Sequence, residues 1–412
     1  METNNQCPVQ GIINKNIGNY SYAHSVLQSL CNIDASKEFI NKYEFDKINP
    51  NLLLTKELYA LIFVLNGGNQ GLSNDIIQKF KDYYYKNQST IQSKNVLKED
   101  PFHFLFFLLQ FVHLESNDPK NPNYNMNLLS NQNLGNKQND DFMFNLFMEF
   151  FNQTQNSLIA DNFFNIERYL YQCPNCNQYF SYGMKTVLRI DVQEVFNHRN
   201  TKSSFNNNKI DINDCFNYYN DKIISSCENC GNQNTTKWVK ICFPARVLII
   251  VFERNNHNNY NDIDFPIYLD IKDFISQKRN NMYHFNTNYE LNSCISYDVD
   301  SGDYFADCCI KRNNNSNYYR FINGNVLNIN DLSEIYKYET QVLIYELRNQ
   351  VNNISIYYFS NSINVNMDNS NQFSSSYNQI NNNNQINNNN QINNNNQFNN
   401  NNQINYNNQY LY

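Results

Sequence analysis

Two pairs of cysteines constrain the fold of this 412-residue chain more than any other feature. Cys173 and Cys176 form one Cys-x-x-Cys pair, and Cys227 and Cys230 form the second. Two residues between the thiols let both sulfurs of a pair reach one ion from a tight turn, and two such turns complete a tetrahedral shell at roughly 2.3 Å per Zn–S bond. Because four cysteines fill that shell, no coordination place stays open for substrate. The sequence therefore predicts a structural Zn²⁺ site.

The context of the cysteines favours metal binding over disulfides. Met1 is followed by neither a charged nor an apolar leader segment, and no later stretch is apolar over the length that a bilayer requires. The sequence thus predicts an intracellular protein of the cytoplasm, the nucleus or both, where paired thiols are metal ligands more often than disulfides. Seven further cysteines are predicted to be small buried hydrophobic residues: Cys7, Cys31, Cys215, Cys242, Cys294, Cys308 and Cys309.

The charge balance limits the class of partner. The formal net charge is -7, and the sequence pI is about 5.4. An extended phosphate-binding surface needs clustered Lys and Arg, so the composition argues against direct nucleic-acid binding and suits a protein partner better. No membrane partner is expected.

The order of the hydrophobic patterns predicts an α+β fold. Apolar residues recur at helical spacing from Ser21 to Cys31, and the segments 52–65 and 100–115 are predicted to be further core helices. Short β-type runs follow the first cysteine pair, at 186–192, 245–255, 289–298 and 340–347. Helices first and strands later favour α+β over alternating α/β.

The segment after Leu347 is predicted to be a low-complexity tail, 348–412. From Gln379 onward it repeats "QINNNN" with a period of six residues. Such a tract buries too little apolar surface to offset its chain entropy, so disorder is the expectation. The even period places every Ile on one face of an extended strand, which leaves slow self-association as an alternative.

Several separated segments together resemble the ubiquitin-specific proteases, within the papain-like cysteine peptidases. "NIGNYSYAHSVLQSL", which begins at Asn16, resembles the family's cysteine box, N-x-G-N-T-C-Y-M-N-S-x-L-Q. "DPFHFLFFLL", which begins at Asp100, is similar to its D-A-x-E-F-L helix, and the cysteine pairs match its zinc site. "KICFPARVLIIVFERN" (240–255), "ISYDVDSGDYFADCCIK" (295–311) and "YYRF" (318–321) follow in family order.

The resemblance implies a thumb, palm and fingers architecture with a zinc ribbon in the fingers. It places an N-terminal extension at 1–10 and a family domain at 11–347. Within that domain the thumb spans about 11–150, the fingers with the cysteine pairs about 165–240, and the palm about 241–347. The implied ligand is ubiquitin or a ubiquitin-like protein, and Asp100 matches a position that contacts the ligand's basic tail.

Carried over residue by residue, the resemblance implies that the catalytic triad is lost. Ser21 stands at the position of the nucleophilic cysteine, Asp303 at that of the general-base histidine, and Ile322 at that of the aspartate that orients the base. Only Asn16, at the oxyanion-hole position, survives. His24, three residues after Ser21, is expected to replace the family's Asn at a polar position of the helix and not to act as a base.

Three functions stay open on these residues. The first is a catalytically inactive family member, a pseudo-deubiquitinase that binds ubiquitin, a ubiquitin-like protein or a larger protein complex. The second is an active thiol isopeptidase whose motif is in another register or whose nucleophile is unconventional. The third is a scaffold whose ubiquitin groove is also degraded. Within the first class the cysteine box is most similar to that of the splicing-associated tri-snRNP homologue, which also lacks the triad, so a role in pre-mRNA splicing is one expected outcome.

Overall fold

A computed structural model describes residues 11–12, 20–42, 52–66, 73–86, 100–124, 139–202, 209–254, 263–312, 315–322 and 324–348. The structure does not describe the predicted positions Cys7 and Asn16, the extension 1–10 or the tail beyond residue 348.

The first part of the chain is helical in the described residues. Its helices are α1 (Ser21–Asn32), α2 (Asp34–Lys42), α3 (Leu53–Leu65), α4 (Ser73–Lys86), α5 (Pro101–Ser116), α6 (Asp140–Thr154) and α7 (Leu158–Phe163). α5 begins where the sequence favours a helix start, because the Asp100 side chain accepts a hydrogen bond from the His103 N–H and proline follows at the first helical position. Large apolar side chains of α1, α3 and α5 are buried between these helices.

The second part is mainly strands. They are β1 (Asn165–Cys173), β2 (Asn177–Lys185), β3 (Leu188–Asp191), β4 (Ile210–Asp211), β5 (Ile223–Ser225), β6 (Thr235–Phe243), β7 (Val247–Glu253), β8 (Ile263–Asp264), β9 (Tyr268–Asp270), β10 (Asn288–Asp298), β11 (Asp303–Arg312), β12 (Asn315–Ile322), β13 (Asn325–Ile329) and β14 (Glu339–Leu347). The helices between them are α8 (Val192–Lys202), α9 (Ile212–Asn220) and α10 (Gln277–Tyr283), with short 3₁₀ turns at Lys272–Phe274 and Leu332–Lys337.

The strands form two main sheets. The smaller sheet has the order β2-β1-β6-β5 and is antiparallel. The larger sheet has the order β13-β12-β11-β10-β14-β7-β3, with β9 also paired to β10. Its strand β3 runs parallel to β7. β4 and β8 form a separate two-stranded parallel pair.

Helix α1 joins the helical part to the larger sheet. Its apolar residues Ala23, Val26, Leu27 and Leu30 are at most 4% exposed, and the helix packs against β10 and β11. A second connection comes from Glu346 on β14, whose carboxylate accepts hydrogen bonds at 2.9 Å from the first backbone N–H groups of α2. A carboxylate is stabilised at a helix N-terminus, so this contact fixes α2 on the sheet.

The α+β class predicted from the sequence is confirmed. The predicted strands at 186–192, 245–255, 289–298 and 340–347 correspond to β3, β7, β10 and β14, and the predicted helices correspond to α1, α3 and α5. The boundaries of the three predicted subregions stay predictions.

Candidate functional site

Ser21 lies at the N-terminal end of α1, where it faces the start of β11. Its Oγ accepts a hydrogen bond from the Tyr304 N–H at 3.0 Å. Asp303, the residue before Tyr304, opens β11 and pairs with Asp298 at the end of β10. The structure therefore brings the first two predicted triad positions to one place, although 283 residues separate Ser21 from Tyr304.

A small cavity opens beside Ser21. Its volume is about 20 Å³, which leaves room for about one water molecule. Gln28, in its wall, uses its Oε1 to accept a hydrogen bond from the Ile12 N–H at 3.0 Å, while its buried Nε2 has no partner among the described residues. The described residues that line the cavity are Gly11, Ile12, Ser21, His24, Ser25, Gln28, Tyr304, Phe321, Gly324 and Asn325. No cysteine is among these described lining residues.

His24 lies in the wall of this cavity, on the same helix as Ser21. Helix period alone does not show which elements close over a position, so the sequence did not predict that His24 lines a cavity. Burial, with a smaller contribution from the Lys81 cation, lowers the pKa of His24 to about 4. Among the described residues, the Ser21 hydroxyl makes no hydrogen bond with His24. His24 is thus a neutral and weakly basic imidazole at neutral pH.

Ile322, the third predicted triad position, ends β12 and pairs with Asn325 across the turn to β13. Its neighbours Phe321 and Asn325 line the cavity, whereas Ile322 does not. An apolar side chain at this position cannot accept a proton or orient an imidazole.

Asp100 is held within its own helix turn. Oδ1 accepts a hydrogen bond from the His103 N–H at 2.9 Å, and Oδ2 lies 2.5 Å from His103 Nδ1. The Asp100 side chain is still 23% exposed. Burial raises the pKa of the Tyr304 hydroxyl, and the Asp100 charge adds to that rise, so the two side chains interact electrostatically.

The four paired cysteines meet at one end of the smaller sheet. Cys173 ends β1, and Cys176 directly precedes β2, so the first pair spans a tight turn. Cys227 and Cys230 lie between β5 and β6, where Gly231 adopts a φ of 73° and its N–H donates to the Cys227 carbonyl at 2.8 Å. The four sulfurs all lie within 4.8 Å of one another.

The spacing of the sulfurs fits a tetrahedral thiolate site. A Zn–S bond of about 2.3 Å places neighbouring sulfurs of a tetrahedron about 3.8 Å apart. The Cys173–Cys230 sulfurs are 3.6 Å apart, and the Cys176–Cys227 sulfurs are 4.0 Å apart. The cluster is therefore arranged to bind a metal ion, and its four soft ligands suit Zn²⁺.

The remaining described cysteines are buried, as predicted: Cys31, Cys215, Cys242, Cys294, Cys308 and Cys309. Burial raises the pKa of each of these thiols, to about 12 for Cys242 and Cys294. A buried thiol with a raised pKa is a poor nucleophile at neutral pH.

Comparisons with known proteins define the class. Residues 13–345 match the family model described as "Ubiquitin carboxyl-terminal hydrolase". The chain therefore belongs to the ubiquitin carboxyl-terminal hydrolase family, and it fits the ubiquitin-specific proteases within that family. A comparison with curated proteins gives no match.

Solved structures with the same fold are deubiquitinase modules of the SAGA complex. A module of a Ubp8 variant with Sgf11, Sus1 and Sgf73 is 19% identical, with 82% of this chain and 68% of that chain covered and a TM-score of 0.55. A Ubp8 module bound to monoubiquitin is 18% identical, with 82% and 69% covered and a TM-score of 0.56. The yeast module with an Sgf73 mutant is 18% identical, with 82% and 68% covered and a TM-score of 0.52. At these identities the likeness establishes the fold.

The smaller sheet with its cysteine cluster lies largely within the segment predicted as the fingers, and most of the larger sheet lies within the segment predicted as the palm, except for β3. Among the described residues, no helix is both long and apolar enough to cross a membrane.

Proposed function

We propose that this family member is a pseudo-deubiquitinase: it binds ubiquitin or a ubiquitin-like protein, within a larger protein complex, without cleaving it. The observation that carries the proposal is the composition of the cleft between α1 and β11. Ser21 stands where the family has its thiol, and the facing strand presents Asp303 in place of histidine, with the Tyr304 N–H hydrogen-bonded to the Ser21 hydroxyl.

The chemistry of these side chains argues against thiol-type catalysis. A thiol with a pKa of about 8.5 is activated by a nearby imidazole and a helix N-terminus, whereas a serine hydroxyl depends on a strong general base. An aspartate with an ordinary pKa of about 4 is a poor proton acceptor. Losing one member of such a triad costs roughly 10⁴ to 10⁶ in rate, so the combined substitutions leave little activity.

The alternative is an active deubiquitinase with an unconventional base, and His24 is the one observation that favours it. His24 lies in the cavity wall near Ser21. Its pKa of about 4 makes it a weak base, because general-base catalysis is most efficient when the pKa lies near the working pH. The absence of a cysteine from the described cavity wall also argues against a shifted motif.

Ligand binding is the part of the family function that these residues still support. Asp100 keeps a partly exposed carboxylate, at 23% exposure, that interacts electrostatically with Tyr304 of the cleft and suits a basic peptide tail. A Zn²⁺ ion on the four cysteines would brace the fingers sheet against which a globular ligand packs. Ubp8, which shares the fold, is described in complex with monoubiquitin and with Sgf11, Sus1 and Sgf73. A scaffold role in a comparable assembly, including a splicing complex, fits the same features.

The test combines a reactive probe with a binding titration. The full chain is incubated with ubiquitin-propargylamide and analysed by intact-mass spectrometry, and ¹⁵N-labelled ubiquitin is titrated with the chain in parallel. An active family member serves as the positive control for the probe. We expect no adduct and a saturable change in the ubiquitin spectrum that includes its C-terminal tail. A probe adduct on any cysteine overturns the pseudoenzyme assignment, and a titration without saturation overturns ubiquitin binding.

A matched pair of variants tests the role of Asp100. Asp100→Asn removes the carboxylate at the cleft, while Asp118→Asn removes an exposed carboxylate just beyond the other end of α5, about 24 Å away along a 16-residue helix. We expect weaker ubiquitin binding for Asp100→Asn alone. Equal binding by both variants contradicts a contact between Asp100 and the ligand tail.

A further inference from the structure

Two tyrosines lie directly beside the cysteine cluster. Tyr179, on β2, places its hydroxyl 3.3 Å from Cys227 Sγ. Its neighbour Tyr171, on β1, pairs with it across the sheet, and the two rings stack at a centroid distance of 4.7 Å and an angle of 4°. Tyr171, Tyr179 and Cys227 are each at most 4% exposed, so the contact with sulfur is shielded from solvent.

The hydrogen bonds around Tyr179 fix the direction of its proton. The Glu228 N–H donates to the Tyr179 hydroxyl oxygen at 3.2 Å, which uses the acceptor side of the phenol. A phenol has one O–H to donate, and Cys227 Sγ is the acceptor within reach. With Cys227 ionised as a metal ligand, the sulfur can only accept, so the O–H of Tyr179 would point at it.

Tyr171 restricts Tyr179 through its ring, which stacks on the ring of Tyr179. Its hydroxyl donates to the carboxylate of Glu228, the residue whose N–H contacts Tyr179. On the other side, Lys237 Nζ lies 5.3 Å from the centre of the Tyr171 ring. Because the stacked Tyr171 ring and the Glu228 N–H both contact Tyr179 directly, Tyr179 has little freedom to turn away from Cys227.

We propose that Tyr179 is a positioning residue of the metal cluster, whose O–H donates a hydrogen bond to the Cys227 thiolate and stabilises its metal-bound form. Four thiolates around a divalent ion carry a net charge of about -2, and hydrogen bonds from outer residues disperse that charge and orient the ligands. In the first pair, the Asn175 N–H lies 3.4 Å from Cys173 Sγ, and the Thr235 side chain also makes a hydrogen bond to this sulfur. Tyr179 is the corresponding side-chain partner of the second pair. The inference rests on metal binding by the cluster, not on binding or cleavage of ubiquitin.

The test compares two conservative variants of the full chain. Tyr179→Phe removes the hydroxyl that faces the sulfur, while Tyr171→Phe removes the hydroxyl of the other stacked ring and leaves the sulfur contact intact. Zinc affinity is measured by competition with a fluorescent chelator, and the thiolate-to-metal charge-transfer band is recorded on the Co²⁺-loaded chain. We expect zinc affinity to fall about 10- to 100-fold in Tyr179→Phe, with a red shift of the band, because outer-residue partners of metal ligands contribute on that scale.

We expect the zinc affinity of Tyr171→Phe to change by less than about 3-fold and its charge-transfer band to stay in place. The Tyr171 hydroxyl does not touch a metal ligand, and a residue outside the cluster needs such a contact to change the affinity by about 10-fold or more. The proposal is overturned if Tyr179→Phe has the same zinc affinity and the same band as the unaltered chain. It is also overturned if Tyr179→Phe and Tyr171→Phe change the affinity equally. Failure of the unaltered chain to retain one equivalent of zinc overturns it as well. Should Tyr179→Phe fail to fold, the unaltered chain loaded with ¹¹³Cd supplies the test. A coupling between a tyrosine hydroxyl proton and cadmium supports the hydrogen bond, and its absence refutes it.

Discussion

The acid–base state of His24 decides between the two functions that the cleft allows. Burial is the larger cause of its low pKa, and the Lys81 cation is the smaller one. With a pKa of about 4 in place of 6.5, about one molecule in a thousand carries a charged His24 at pH 7. A histidine that served as a general base for Ser21 would titrate close to neutral pH.

The same shift makes a prediction about stability. Since the pKa of His24 is lowered on folding, the unfolded chain binds a proton between pH 6.5 and pH 4 where the folded chain does not. The contribution of neutral His24 to the free energy of unfolding is fully present above pH 6.5 and is lost as the pH falls toward 4. The pKa difference corresponds to at most about 3.4 kcal/mol, of which about 1.8 kcal/mol is lost between pH 7 and pH 5.

Nuclear magnetic resonance of ¹³Cε1-labelled histidine measures the pKa directly. The chain has only six histidines, and the signal that disappears in His24→Asn assigns His24. We expect that signal to stay at its neutral position from pH 8 to pH 5. In Lys81→Met the midpoint should rise but stay below 6.5, because burial remains.

Urea unfolding at pH 7 and pH 5 provides the energetic check. His24→Asn should lose about 1.8 kcal/mol less than the unaltered chain between these two pH values. A titration midpoint at or above 6.5, or an unchanged pH dependence in His24→Asn, refutes the reasoning. Either result would identify His24 as a solvated imidazole that is available as a base.

Three further perturbations test the site and the fold. Ser21→Cys alone should stay unreactive toward ubiquitin-propargylamide. Adding Asp303→His should raise labelling, measured by intact mass, at least about 100-fold, because a general base contributes on that scale. Equal labelling of both variants contradicts the assigned positions. Chelation of the metal should increase hydrogen exchange in β1 and β6 while β10 and β14 stay protected, and uniform loss of protection would show that the cluster supports the whole domain. Arg320→Met should cost about 3–5 kcal/mol in urea unfolding, because it leaves the buried Asp307 unpaired. The double variant with Asp307→Asn should recover part of that loss.

Local sequence patterns predicted those features whose physical cause is local. The apolar run that forms β7 is buried on six of its seven residues, and such runs are typical of central strands. The spacing of each cysteine pair likewise contains its own turn geometry, so the two turns that present the four cysteines could be predicted from the sequence alone. The start of α5 had a readable signal too, in Asp100 followed by proline.

Contacts between distant segments could not be predicted in this way. The hydrogen bond between Ser21 and Tyr304 depends on how α1 packs on the larger sheet, and helix period gives only the face that is buried. The contact of the Tyr179 hydroxyl with Cys227 also depends on side-chain directions that the sequence does not encode locally. The family order of motifs supplied the approximate neighbourhood of Ser21 and Asp303, but not the presence of His24 in the cavity wall.

The geometry of the cleft explains how a triad can be lost while its frame is kept. The interface between α1 and β11 is held by fully buried apolar side chains, with Ala23, Val26 and Leu27 at 0% exposure. Burying each of the larger aliphatic side chains stabilises the fold by about 1.5–3 kcal/mol. A partly exposed polar triad contributes far less to stability, because hydrogen bonds to its members replace hydrogen bonds to water. On the proposed assignment, Ser21, Asp303 and Ile322 in place of the family's triad would remove chemistry without removing the packing that positions the cleft, and selection for binding alone would be enough to preserve this fold.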